Sequence, residues 1–88
     1  MDLYKEIENS FPLIEKLLSQ DELFEFKNVP VSELYLYHLG LGIKIRNDFL
    51  YKKENPLYDL FLENGIAHTD EMSSLIIRLF HCYIGGVH

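Results

Sequence analysis

Eighty-eight residues, 48 % hydrophobic and 25 % charged, suffice for a single helical domain over 1–88 and exclude a multidomain enzyme. Fourteen acidic residues against eight Lys plus Arg leave a net charge of −6, the wrong sign for neutralising phosphates, so a nucleic-acid binder is not expected. Six Phe and six Tyr are the main material for a core.

Along the chain, Leu3, Ile7, Phe11, Ile14 and Leu18 recur at intervals of 4, 4, 3 and 4, the spacing of one helical face. Pro12 lies inside that pattern without an N–H to donate, which predicts a kink or a restart with Ser10 as N-cap. Residues 20–28 (QDELFEFKN) mix apolar and charged side chains without a clear period and read as either a short helical turn or a loop. Val29-Pro30-Val31 then disfavours helix, and Ser32 offers an N-cap to a central helix over 33–48. Leu34, Tyr37, His38, Leu41 and Ile45 form one face of it, while Leu36, Leu39 and Ile43 fill the rest, so this helix is expected to be buried on several sides as the axis of the core. Gly40 and Gly42 each cost about 1 kcal/mol relative to Ala inside a helix, and close packing of a neighbouring helix is the simplest reason for them.

Asn55-Pro56 reads as N-cap and first-turn proline of a short helix with Leu57, Leu60 and Phe61 inward, closed by Asn64-Gly65. Thr69 is expected to cap the last helix, with Asp70 and Glu71 in its first turn. Met72, Leu75, Ile76, Leu79, Phe80 and Tyr83 continue it as a stripe that Gly85-Gly86 ends. The outcome is an all-α fold, a compact bundle of four to five short helices.

Cys82 has no internal partner and sits in an apolar run with Phe80, Tyr83 and Ile84, where a thiol serves as a small hydrophobe in a reducing cytoplasm. The start MDLYKEIENS carries Asp2, Glu6 and Glu8 where a secretory signal needs a basic start and an unbroken apolar run, so none is expected. No apolar window reaches the roughly 20 residues that span a bilayer.

Signals for chemistry are weak. His38, His68, His81 and His88 form no H-x-x-x-H, H-E-x-x-H or E-x-x-H pair, and one cysteine makes no thiolate cluster, so neither a metal nor another cofactor is expected. His38, Arg46 and His68 have the side chains of a small phosphoesterase, yet a net charge of −6 repels a polyanion and only Lys52-Lys53, offset by Glu54, makes a basic patch. Ser73 and Ser74 have no neighbouring base. No catalytic residue is therefore assigned, and an enzyme is not expected. Arg46, in the polar cluster Arg46-Asn47-Asp48, is expected to satisfy the end of the central helix or to pair with Asp70 or Glu71.

Charge is uneven: residues 1–33 hold eight carboxylates against three lysines, a net of −5, and the rest hold five cations against six carboxylates, a net of −1. Asp21, Glu22, Glu25 and Glu33 interleave with Leu23, Phe24 and Phe26, the mixture that suits an acidic surface with apolar anchors for a basic protein partner. The alternative is a solvated helix face with its aromatics turned inward.

YHLGLGIKIRNDFLY at 37–51, NPLYDLFLENGIAH at 55–68 and TDEMSSLIIRLFHCY at 69–83 resemble a bacterial family of small domains of unknown function. Its pattern runs H-F-G-L-G-x-x-I-R-N-x-W, then a short helix, then H-P-D-D-M-S-x-x-I. His38, Gly40, Gly42, Ile45, Arg46, Asn47, His68, Asp70, Met72 and Ser73 fall on the pattern, while Leu39 replaces Phe, Phe49 replaces Trp, Asp48 stands at an amide position, and Thr69-Asp70-Glu71 stands for Pro-Asp-Asp. The resemblance implies a scaffold rather than a reaction, with the motif residues in structural roles. Similar members occur beside contact-dependent or polymorphic toxins. That implies an immunity protein for a basic nuclease toxin domain, with a cytosolic adaptor that has no toxin partner as the rival reading.

Overall fold

The computed structural model describes residues 2–52 and 55–85, and every described segment with regular structure is helical. Lys53 and Glu54 of the basic patch, Gly86 of the expected stop, and His88 lie outside the described residues. Helix α1 (Leu3–Glu15) starts on Asp2, whose carboxylate accepts from the Tyr4 N–H at 3.1 Å, and buries Ile7, Phe11 and Ile14 along the expected stripe. It passes through Pro12 unbroken, so the expected restart at Ser10 does not occur. Ser10 is buried and donates its hydroxyl to the Ile7 carbonyl instead of capping a new helix. Pro12 and Glu8 lie on the exposed side, where water can take the Glu8 carbonyl that the missing N–H leaves free.

The unassigned stretch is helix α2 (Gln20–Lys27), fixed by a capping box in which Ser19 and Glu22 satisfy each other's backbone N–H groups. It carries Phe26 inward to full burial, where the ring meets Tyr37 edge-on at 4.9 Å and stacks with Phe80 at 5.6 Å.

The single central helix over 33–48 is overturned. Pro30 leads instead into a 3₁₀ segment (Val31–Tyr37) with no side-chain cap from Ser32, and the chain bends at 38–40. Helix α3 (Leu41–Ile45) then runs directly into a π-helical segment (Arg46–Leu50), whose wide turn is closed by the Tyr51 N–H donating to the Arg46 carbonyl at 2.9 Å. Only Leu34, Leu41 and Ile45 of the expected face are fully buried, and Leu36, Leu39 and Ile43 are exposed. A 3₁₀ coil of seven residues has three-residue turns and cannot keep the 3.6-residue stripe in register.

Helix α4 (Leu57–Glu63) starts one residue later than expected, with Pro56 rather than Asn55 as its cap, since Leu60 donates to the Pro56 carbonyl at 3.0 Å. The Asn55 side chain still accepts from the Leu57 N–H at 2.9 Å, Leu57, Leu60 and Phe61 are buried, and Gly65 closes the turn at φ +82°. Helix α5 (Thr69–Gly85) has Thr69 as its first residue rather than its cap, since Met72 already donates to the His68 carbonyl at 3.1 Å, and Gly85 still belongs to it. Met72, Ile76, Ile77 and Phe80 face inward. Tyr83 is half exposed but covers Phe11 with a ring separation of 4.8 Å. Cys82 is exposed rather than serving as a small hydrophobe in the core, because it falls one position past the inward His81.

The described residues therefore form six helical segments, counting α3 with its π extension as one, rather than four to five. The axis is α5, which packs against α1, α2, the 3₁₀ segment, α3 and the π segment, while α4 closes the far side against α1 and the π segment. Phe26, Phe61 and Phe80 are completely buried at the centre, each contributing about 1.5–3 kcal/mol of transfer free energy.

Candidate functional site

Two constellations stand out, one on the surface and one in the interior. On α2, Asp21, Phe24 and Glu25 are spaced i, i+3, i+4 and share one exposed face, since the capping box sets the helix phase and Phe26 anchors the opposite side. Phe24 is 70 % exposed, so the aromatics of this stretch are divided: Phe26 is core and Phe24 is surface. Glu22 is exposed but committed, because its hydrogen bonds from Ser19, assisted by Lys44, hold its carboxyl below the usual carboxylate range. Glu33 lies exposed in the first turn of the 3₁₀ segment. Burial, followed by the nearby negative charge of Glu25, pushes the Tyr37 hydroxyl above its ordinary value.

The same run of chain exposes Tyr35 (72 %), Leu36 and Leu39 (75 %). Sequence reasoning placed Leu36 and Leu39 in the core; their apolar character is the signal, and the 3₁₀ segment turns Leu36 outward while the bend after it turns Leu39 outward. Phe24, Tyr35, Leu36 and Leu39 are thus exposed, as are Asp21, Glu25 and Glu33, along α2, the 3₁₀ segment and the bend that follows it.

Inside, Arg46 is only 8 % exposed at the first position of the π segment. Its Nη1 donates to Ser73 Oγ at 2.8 Å and lies 3.7 Å from Asp70 Oδ1, and its Nη2 donates to the His38 carbonyl at 3.3 Å. Ser73 passes its own hydroxyl to the Asp70 carbonyl at 3.1 Å, and His38 Nε2 lies 3.9 Å from Asp70 Oδ1. The expected pairing of Arg46 with Asp70 is present, but Arg46 opens the π segment instead of ending a helix. The reason for Gly42 also changes. A Cβ there would lie 3.2 Å from Arg46 Nη1 and 3.5 Å from the Tyr37 carbonyl oxygen, so the missing side chain makes room for the guanidinium. Gly40 faces open space, and the helix-packing reason fails for it.

The remaining motif residues scatter. Met72 is completely buried in the core, and Asn47 is exposed. His68 is exposed, with no hydrogen bond or ion pair to His38 or Arg46 among the described residues. The three residues of the phosphoesterase reading are therefore not joined as a set. Among the described residues no three His, Cys, Asp or Glu side chains converge as metal ligands would, and no helix is long and apolar enough to cross a membrane.

This is a small all-α protein with a buried arginine tying its 3₁₀ segment to its longest helix, and with exposed carboxylates and large apolar side chains on α2 and along residues 33–39. The chain belongs to the family described as Domain of unknown function (DUF6794), which it matches over residues 5–84. No curated protein matches it, and no solved structure does.

Proposed function

We propose that this chain is an immunity protein that binds and neutralises a basic protein partner, a nuclease toxin domain, by covering its phosphate-binding cleft. The observation that carries the reading is Phe24, 70 % exposed between Asp21 and Glu25 on one helical face and followed by Tyr35, Leu36 and Leu39. Solvated acidic faces are common, but an acidic face with several large apolar side chains standing in water has both components of an interface. Carboxylates steer a basic partner and set the association rate, and apolar anchors hold it. A domain that binds nucleic acid is basic for the converse reason. The resemblance to members beside toxins is what suggests a toxin domain as the partner class.

The test is co-expression with the protein encoded immediately upstream, followed by co-purification and a growth assay. A neighbour that is toxic alone, and harmless and co-purifying with this chain, supports the reading. A harmless neighbour, or one still toxic with this chain present and folded, replaces it with the adaptor.

A further inference from the structure

We propose that the cleft between the 3₁₀ segment and α5 is a binding site for a small organic monocarboxylate with an apolar body. The cleft has a volume of about 370 Å³, within the range of small-molecule sites. Its walls include Leu34 and Tyr35 on one side and Ile77 on the other, and its polar groups include His38, Ser74 and Arg78. Leu34 and Ile77 are buried, so the floor is dry and apolar.

Charge decides the ligand class. Arg78 forms no ion pair among the described residues and stands beside the apolar floor, where its planar fork can grip a carboxylate through two N–H donors. A doubly charged phosphate is disfavoured, because Asp70 and Glu71 line the adjoining hollow that shares Ser74 and Arg78, and one guanidinium balances one negative charge. The compact cleft suits a small molecule, with the apolar body against Leu34 and Ile77 and the carboxylate at the Arg78 rim.

The cleft is also held open before any ligand arrives. Arg46, itself more than nine-tenths buried, donates to the His38 carbonyl at the end of the 3₁₀ wall and to Ser73, the neighbour of Ser74 on the α5 wall. One buried side chain thus fixes the spacing of both walls, so binding does not have to order them. The family-motif residues His38, Gly42, Arg46 and Ser73 acquire a common purpose as the frame of this cleft. The site is separate from the α2 face that carries Asp21, Phe24 and Glu25, and its test needs no protein partner.

The probe is phenylacetate, with phenylacetamide as its uncharged isostere, titrated into the full chain and followed by amide chemical shifts. The expected result is saturable phenylacetate binding with a Kd of about 1 mM or tighter. Shifts should centre on Tyr35, His38, Ser74 and Arg78, with phenylacetamide at least about tenfold weaker. Arg78→Gln should abolish the preference for the acid, and Arg78→Lys should keep part of it. Absence of saturation, equal binding of acid and amide, or an unchanged preference in a folded Arg78→Gln protein overturns the proposal. Should Arg78→Gln fail to fold, the acid-to-amide ratio and the location of the shifts in the unaltered protein decide.

Discussion

Arg46 Nη1 donates to Ser73 Oγ across 2.8 Å, joining residues 27 positions apart in the chain and locking the π segment to the first turns of α5. Hydrogen bonds to a charged donor contribute about 1.5–3 kcal/mol, and the half-buried His38 carbonyl can turn partly to water when its donor is lost. Asp70 is largely exposed, so its ion pair with Arg46 adds little after solvent screening. Arg46→Met should therefore destabilise the fold by about 2–3 kcal/mol through the lost bonds to Ser73 and the His38 carbonyl. Arg46→Lys, which cannot reach both acceptors at once, should recover less than half of that loss. Urea unfolding of the three proteins checks the order, and equal midpoints for Arg46→Met and the parent would show the network to be energetically idle.

Gly42 and Gly40 separate cleanly by their surroundings. A side chain at Gly42 must displace the Arg46 guanidinium, so Gly42→Leu should cost about 1–3 kcal/mol by overpacking. Gly40→Leu projects into open space and should lose much less. Thermal midpoints compare them directly, with each kcal/mol worth about 4–8 °C in a domain of this size. A larger loss at Gly40 would contradict the assignment.

His81 is 6 % exposed, meets Phe26 edge-on at 5.3 Å, and has no hydrogen-bond partner for either ring nitrogen among the described residues. Stranding a buried polar atom costs about 1–3 kcal/mol, more than the roughly 0.5–1.5 kcal/mol of an aromatic pair. His81→Leu, similar in volume, should raise stability by about 1 kcal/mol, whereas His81→Asn keeps the polarity, opens a gap and should lower it. Denaturant midpoints of the two variants on either side of the parent would meet the expectation.

Glu22 couples α2 to pH. Its carboxylate is held below the ordinary glutamate value of 4.5 chiefly by the Ser19 backbone N–H and then by the Ser19 hydroxyl. A group whose folded pKa is depressed contributes stability that is present above its unfolded value and disappears as pH falls through the folded one. Protection of the first-turn amides of α2, taken as exchange relative to the intrinsic rate at each pH, should thus be constant from neutrality to about pH 4.5 and decline below it. Glu22→Gln keeps an acceptor oxygen without a titrating proton, so it should flatten the acid limb. An unchanged acid limb in that variant would place the response elsewhere.

The long stripes were readable because one period served the whole segment: Ile7, Phe11 and Ile14 in α1, and Met72, Ile76 and Phe80 in α5, all lie where a 3.6-residue repeat puts them. Apolar spacing leaves helix α2 open between a helical turn and a loop; the signal that could have settled it was Ser19 and Glu22 as a capping box. Residues 31–50 were not readable. A run of Leu, Tyr and Ile looks buried on every side, and nothing in Leu36 or Leu39 says that a 3₁₀ coil will leave them in water. Arg46 was legible as a partner of Asp70 but not as a buried tie to Ser73 and His38, because that requires the bend at 38–40 to bring the chain back toward α5. The carboxylates of the acidic face were found from charge counting alone, whereas Tyr35, Leu36 and Leu39 join it only through backbone geometry.

The proposed association with a basic partner divides into a charge part and an anchor part, which separate variants can read. Glu22 must stay, since reversing it breaks the capping box and confuses a binding loss with a folding loss. Asp21→Lys, Glu25→Lys and Glu33→Lys together leave the core untouched and turn three steering charges against the partner. The association rate should fall by about tenfold or more at low salt, with the dissociation rate nearly constant. In the parent, raising ionic strength from 0.01 M to 0.15 M shrinks the Debye length from about 30 Å to about 8 Å, so association should slow steeply with salt. In the triple variant that dependence should vanish or reverse. Phe24→Ala should do the opposite: an anchor seated in a pocket costs about 2 kcal/mol or more when truncated, which appears as dissociation roughly thirtyfold faster with association little changed. Surface-plasmon kinetics on the co-purified partner measure both constants. Unaltered dissociation in Phe24→Ala together with salt-independent association in the parent would remove this face from the interface.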